Sequence, residues 1–185
     1  MINLKIIIAS TRPGRKGPLL ANWIYEKAKE HPEFAIELID LAEINLPFFD
    51  EPHHPRLQQY THQHTKDWSA KIKDADAFIL VTPEYNYGFP ATIKNAIDFL
   101  YNEWRHKAIG FVSYGGIAGG TRCIQMLKLT LTALDMVPLT AAVNVPMFTQ
   151  YIKEEKFVGS EEHDKMAAGL FAELKRWSAA LSGLR

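Results

Sequence analysis

The stretch LKIIIASTRPGRKGPLL, residues 4–20, decides how the chain folds. Leu4 to Ala9 form a short apolar run bounded by a Ser/Thr/Pro/Gly cluster, the pattern of a strand buried on both faces. After the cluster, Pro18 suits a first helical position. Leu19, Leu20, Trp23, Ile24 and Ala28 then recur at helical spacing up to about Glu30. A strand, a basic loop and a helix therefore follow one another at the start of the chain.

Outward from this unit the alternation repeats. Ala35 to Asp40 reads as a second strand, Phe78 to Thr82 as a third, Ala108 to Ser113 as a fourth and Leu139 to Val145 as a fifth. Helices are expected near Lys66 to Lys73, Ala91 to Tyr101 and Gly120 to Leu134. Ser160 is placed to cap a final helix whose Met166, Leu170, Phe171, Leu174, Trp177 and Leu181 share a face, with Glu161 and Glu162 in the dipole-favoured first turn. Five strands alternating with five helices imply an α/β fold, a parallel sheet wrapped on both sides. No internal repeat, low-complexity tract or Gly/Ser linker divides the 185 residues, so residues 1–185 are expected to form a single domain. The irregular stretch is Glu43 to Thr65, with Pro47, Pro52, Pro55 and four of the seven histidines, which reads as an ordered surface excursion near the site.

Charge narrows the partners. Lysine plus arginine total 21 and aspartate plus glutamate total 21, so no net field draws the whole molecule to nucleic acid or an anionic membrane. A small molecule or a second copy of the chain is expected instead. Cys123 is the single cysteine; it cannot form an internal disulfide, and a reducing cytoplasmic setting fits. The apolar run before Arg12 is too short for a membrane span and lacks a signal-peptide cleavage pattern.

In a doubly wound sheet, ligands bind outside the carboxyl ends of the strands, which singles out three loops. The first, Ser10-Thr11-Arg12-Pro13-Gly14-Arg15-Lys16-Gly17, combines hydroxyls, three cations and the free N–H groups of a helix start, a combination suited to a dianionic phosphate. It has neither Walker nor GxGxxG spacing, which argues for a terminal monophosphate over a pyrophosphate; a solvated basic turn is the alternative. The second, Thr82-Pro83-Glu84-Tyr85-Asn86-Tyr87-Gly88-Phe89-Pro90, is stiffened by two prolines, with Gly88 able to take positive φ. It suits hydrogen bonding to the edge of a flat heterocycle such as isoalloxazine, against the alternative of an aromatic turn packing on its neighbours. The third, Ser113-Tyr114-Gly115-Gly116-Ile117-Ala118-Gly119-Gly120, allows close approach of main-chain N–H groups to a ligand, although in isolation it is a flexible turn before a helix.

Taken together and in this order, STRPGRKG, TPEYNYGFPATIKNAIDFL and SYGGIAGG resemble the NADPH-dependent FMN reductase family, which includes quinone, azo-dye and chromate reductases. The resemblance runs from about Lys5 to Leu134. It implies a flavodoxin-like sheet of order 2-1-3-4-5, FMN as cofactor, NADPH or NADH as electron donor, and a small-molecule electron acceptor. By position it implies that Ser10, Arg12, Arg15 and Lys16, or the backbone beside them, hold the phosphate. Pro83, Glu84, Tyr85 and Asn86 would border the ring, and Ser113, Gly115 and Gly116 would serve the glycine loop. Many members carry a hydroxyl-and-amide pair late in the first loop, where this chain has Gly17 and Pro18, so contacts after Lys16 are expected from backbone alone. The resemblance also implies a homodimer or a dimer of dimers, and Phe99, Leu100, Tyr101 and Trp104 offer more apolar area than one helix face needs, either for that interface or for a buried core.

The mechanism implied is hydride delivery to flavin N5 and onward reduction of a quinone, azo compound or similar acceptor, with no side chain needed as general acid or base. Ser113 stands in GxxSxG rather than GxSxG, which disfavours a hydrolase triad. A flavodoxin-like electron carrier or redox sensor without turnover is the competing reading, disfavoured by the neutral charge and the arginine-bearing first loop. A metal-dependent hydrolase built on His53, His54, His62 and His64 lacks a fixed frame and a carboxylate to complete the set, so no metal is expected. Arg122 is placed to meet a partner subunit, the nicotinamide phosphate or a surface carboxylate, and Cys123 to be a small buried residue.

Overall fold

In the computed structural model, which describes residues 1–185, the opening aliphatic run forms β1 (Ile2–Ile8) and the residues after the basic loop form α1 (Gly17–Ala28). There follow β2 (Phe34–Asp40), the one-turn helix α2 (Leu41–Ile44), α3 (Gln63–Lys73), β3 (Ala77–Pro83), α4 (Ala91–Asp98), β4 (Ala108–Tyr114), α5 (Thr121–Thr132) and β5 (Val137–Val145). A two-residue hairpin, β6 (Ile152–Lys153) with β7 (Lys156–Phe157), precedes α6 (Glu161–Leu181). The five long strands pair in parallel in the order β2-β1-β3-β4-β5, the flavodoxin-like topology expected from the sequence.

Strand alternation divides the core into two layers. On β1, Leu4, Ile6 and Ile8 face α1 and α6, while Ile7 and Ala9 face the layer that holds Trp68 of α3, Ile93 of α4 and Leu127 of α5. Each layer contains 23 buried apolar residues, so neither face of the sheet is left to solvent and β1, β3 and β4 read as near-continuous apolar runs. Helix ends follow their local chemistry. Ser160 Oγ accepts from His163 N above the acidic first turn of α6, and Asp40 accepts from Ala42 N at the start of α2.

Three features differ from expectation. Phe99, Leu100 and Trp104 are 0–1% exposed, with Trp104 packed on Phe78 at 5.1 Å and donating its indole N–H to Ile97 O at 3.1 Å. Together with half-buried Tyr101 they complete the layer under α3 and α4, so this cluster is core and not an interface. The helix before it stops at Asp98, short of Tyr101. The β6–β7 hairpin is absent from the sequence pattern because its turn is made by Glu154 and Glu155 at positive φ, in place of the Asn or Gly that usually marks such turns. The excursion after α2 is tied down by Glu51, which accepts from Thr61 N, Thr61 Oγ1 and His62 N at 2.8–3.0 Å.

Candidate functional site

The ends of β1, β3 and β4 lie side by side, which brings the three loops to one rim of the sheet. They are bonded together: Glu84 N donates to Tyr114 O at 3.0 Å, and Thr92 Oγ1, at the start of α4, donates to Ala9 O at 2.5 Å. Between them lies a cleft of about 280 Å³. Arg12, Gly14, Arg15 and Lys16 line it from the first loop, Pro83, Glu84 and Tyr85 from the second, and Tyr114, Gly115 and Gly116 from the third.

The three cations of the first loop are not equivalent. Arg15 makes a bidentate pair with Asp40, both N···O distances 2.5 Å, and donates also to Ser10 O at 2.6 Å, so its fork is committed to bracing the loop against the end of β2. Lys16 reaches Glu155 at 3.1 Å in a solvent-screened pair between exposed side chains. Arg12 is exposed and makes no ion pair or side-chain hydrogen bond within the chain. Behind them α1 begins with no capping side chain and no acidic residue in its first turn, and the N–H groups of Gly14, Lys16 and Gly116 have no acceptor in the protein. A helix start surrounded by cations and open donors has an unmet demand for an anion.

Other expected residues sit differently. Ser10 and Ser113 are fully buried. Ser10 Oγ accepts from the Tyr114 hydroxyl at 3.4 Å, and Ser113 Oγ donates to Gly119 O at 2.7 Å and lies 2.9 Å from Asn144 Oδ1. Ser113 thus pins the glycine loop from behind, where Gly120 at φ 84° is needed because an added Cβ would press on Ser113. Asn86 is at the apex of a tight turn in which Tyr85 and Gly88 exchange both main-chain hydrogen bonds at 2.9 Å. The left-handed positions of that turn are Asn86 and Tyr87, with φ 50° and 67°, and the freedom of Gly88 is not used for one. A tyrosine there costs about 1 kcal/mol, which the Arg122 guanidinium, 4.3 Å above the Tyr87 ring, helps to offset.

Glu84, largely buried, accepts from Arg122 N at 3.2 Å and pairs with the Arg122 guanidinium at 3.4 Å. It therefore supplies α5 with the acidic cap its own Gly120 cannot give, and this carboxylate is the partner Arg122 takes. Cys123 is buried and its thiol is pushed up to about 12 by burial and by the nearby Glu84 charge, which makes it inert at neutral pH. His62 and His64 stack at 5.1 Å and His64 Nε2 lies 3.0 Å from Asp50; no three His, Cys, Asp or Glu side chains converge as a metal set. Tyr114, Gly14 and Phe148 line the cleft but were not singled out from sequence. Alternation along β4 places Tyr114 on the α1 face with Ala108 and Val112, a signal the neighbouring glycines obscure; Phe148, after β5, has no motif around it.

The cleft fits FMN by its chemistry. Gly116 has open space where a Cβ would be and an N–H without an acceptor, which suits a planar ring edge, and the same cleft holds the free cation and the uncapped helix start, which suit a phosphate. The family model described as NADPH-dependent FMN reductase matches residues 2–150. An NAD(P)H-dependent FMN reductase of Schizosaccharomyces pombe is 42% identical over 145 residues, 76% of this chain and 72% of that protein. A quinone reductase of Escherichia coli K12 is 35% identical over 91 residues, 46% of each chain. Among solved structures, the flavoenzyme NAD(P)H:(acceptor) oxidoreductase FerB of Paracoccus denitrificans superposes with a TM-score of 0.76 at 19% identity over 97% of this chain and 98% of that one, a likeness of fold.

Proposed function

The chain belongs to the NADPH-dependent FMN reductase family, and from that premise we propose that it oxidises NADPH or NADH and delivers the electrons to quinones, azo compounds or similar small acceptors at the rim cleft. It is an oxidoreductase with FMN as cofactor and NAD(P)H as donor. The observation that carries the fuller reading is the convergence of the three loops on one cleft with a free cation at one end and open main-chain donors along it. FMN held there would supply two-electron redox chemistry between NAD(P)H and the acceptor.

The chain's own residues bind and orient. Arg12, Lys16 and the N–H groups of Gly14 and Lys16 hold the phosphate end, with Arg15 and Ser10 keeping their loop in shape. Pro83, Glu84, Tyr85 and Asn86 form the stiff border of the ring, and the Gly115 and Gly116 backbone approaches its opposite edge, stabilised by Ser113. A homodimer or dimer of dimers accords with the apolar side chains left exposed on the second and third loops and on α5, Tyr87, Ile117, Met126 and Leu129, which a second copy would cover. Light scattering of the purified chain reads that state. No helix is long and apolar enough to cross a membrane, and a cytoplasmic enzyme is consistent with one buried thiol.

The decisive experiment is spectroscopic and kinetic. The purified protein is expected to bind FMN, show the yellow absorption bands of oxidised flavin, release FMN on denaturation, and oxidise NADPH or NADH when a quinone is supplied. An FMN-loaded protein without acceptor-dependent turnover with either nucleotide would be an electron carrier and the reductase assignment would be lost.

A further inference from the structure

Gly17, the first residue of α1, is the most crowded position of the phosphate loop. A Cβ there would run into Ser10 Oγ and stand 3.0 Å from the Tyr114 hydroxyl and 3.2 Å from Ile8. The space a side chain at the first helical position would use is taken first by the Ser10 hydroxyl and, beside it, by a phenol from a strand two places away in the sheet. Tyr114 reaches it from the end of β4, its ring fixed edge-on against Phe148 at 5.0 Å.

The phenol is poorly bonded where it lies. It is 4% exposed, and its one hydrogen-bond partner is Ser10 Oγ at 3.4 Å, well beyond the usual ~2.7–2.8 Å of an O–H···O bond. Buried hydroxyls normally have better partners. This one lies under the uncapped start of α1, lines the cleft, and feels the charges of Arg15 and Arg12. The loop itself carries no hydroxyl after Thr11.

We propose that the Tyr114 hydroxyl is a phosphate ligand: it donates a hydrogen bond to the terminal phosphate of FMN, supplying from β4 the hydroxyl that the first loop lacks at Gly17. The proposal rests on the cleft being the FMN site. Burial pushes the phenol up to about 12, so it remains a donor throughout the range in which the phosphate is a dianion. Gly17, Ser10 and Tyr114 act as one unit, because a side chain at Gly17 would displace the Ser10 hydroxyl to which the phenol donates and would crowd the phenol itself.

The test compares FMN with riboflavin, which has the same ring and no phosphate, by quenching of flavin fluorescence in the cofactor-free protein. The wild type binds FMN more tightly than riboflavin. Tyr114→Phe loses about tenfold in FMN affinity, the weight of one hydrogen bond to a charged group, and keeps its riboflavin affinity. The 31P resonance of FMN held at saturation on Tyr114→Phe shifts from its wild-type position, which reads the phosphate directly. Equal losses for both flavins would make Tyr114 a packing residue, and an unchanged FMN affinity or an unshifted resonance would remove it from the phosphate site; each overturns the proposal. A wild type that does not distinguish FMN from riboflavin would overturn the phosphate-site reading itself, before the variant is compared.

Discussion

The two ends of the sheet treat cations beside a helix terminus in opposite ways. At the amino end, Lys107 lies just before β4 and donates to Ile72 O and Lys73 O at 3.0 and 2.9 Å, the last carbonyls of α3, where the helix dipole favours a positive charge. Next to it, buried Glu103 accepts from Ser69 Oγ at 2.6 Å, Tyr60 Oη at 2.9 Å and Tyr101 N at 3.4 Å, while Arg185 pairs with Asp76 at 2.8 Å. At the carboxyl end, Arg12, Arg15 and Lys16 surround the start of α1, the end where the dipole repels them, with main-chain donors left open. A closed network satisfies its own donors and acceptors; an open one, electrostatically unfavourable alone, is the kind an anion would complete. The difference is the physical ground for proposing the anion site at the carboxyl end, apart from any motif.

The sharpest way to break this contrast is to damage each end and read both properties. Glu103→Ala leaves the Tyr60, Ser69 and Gln58 donors without their acceptor. It is expected to cost about 3 kcal/mol of stability in urea unfolding of the cofactor-free protein, with FMN affinity within twofold of wild type. Arg12→Ala should do the reverse. Losing the free cation weakens FMN binding about thirtyfold, roughly 2 kcal/mol for a charge-assisted contact, while unfolding is unchanged or slightly improved by removing a like charge from the helix start. If Glu103→Ala weakened FMN binding as much as Arg12→Ala does, the two ends would be one coupled network and the division between them would be wrong.

The same contrast explains what was legible in the sequence. The strands and the helices were readable because aliphatic runs such as Leu4 to Ala9 and the periodic face of α6 depend on local spacing, whereas the order of the strands came from the family resemblance. The convergence of the loops was readable because a doubly wound sheet puts those loops at one rim. The partners of individual side chains were not. Arg12 and Arg15 look alike in STRPGRKG, yet Arg15 is captured by Asp40, 25 residues on, and Arg12 is left free. Phe99 and Trp104 gave no sequence sign of whether they would be covered by α3 or by a second chain; only the packing of Trp68 and Phe78 against Trp104 decides it. Tyr114, at the end of β4, reaches across β3 to Ser10 after β1, a separation of 104 residues that no local pattern encodes.

The smallest effect expected is also the most specific to the closed end. Burial pulls Lys107 down to about 8, with Arg185 adding to the shift and Asp76, Asp74 and Glu103 opposing it. In the unfolded chain the same amine titrates near its ordinary 10.5. Below about pH 8 the ammonium is present in both states and the full cost of burying it is carried by the fold. Between about 8 and 10.5 the folded protein has released the proton and the unfolded chain has not, so stability rises with pH, by at most about 1 kcal/mol per pH unit. Urea midpoints at pH 7, 8.5 and 10 for wild type and Lys107→Met, which keeps the stem and removes the charge, isolate this contribution from every other titrating group. The wild type should gain on the variant across the two upper points, whereas parallel curves would mean that the two α3 carbonyls compensate the ammonium fully and that the amino end bears no electrostatic strain.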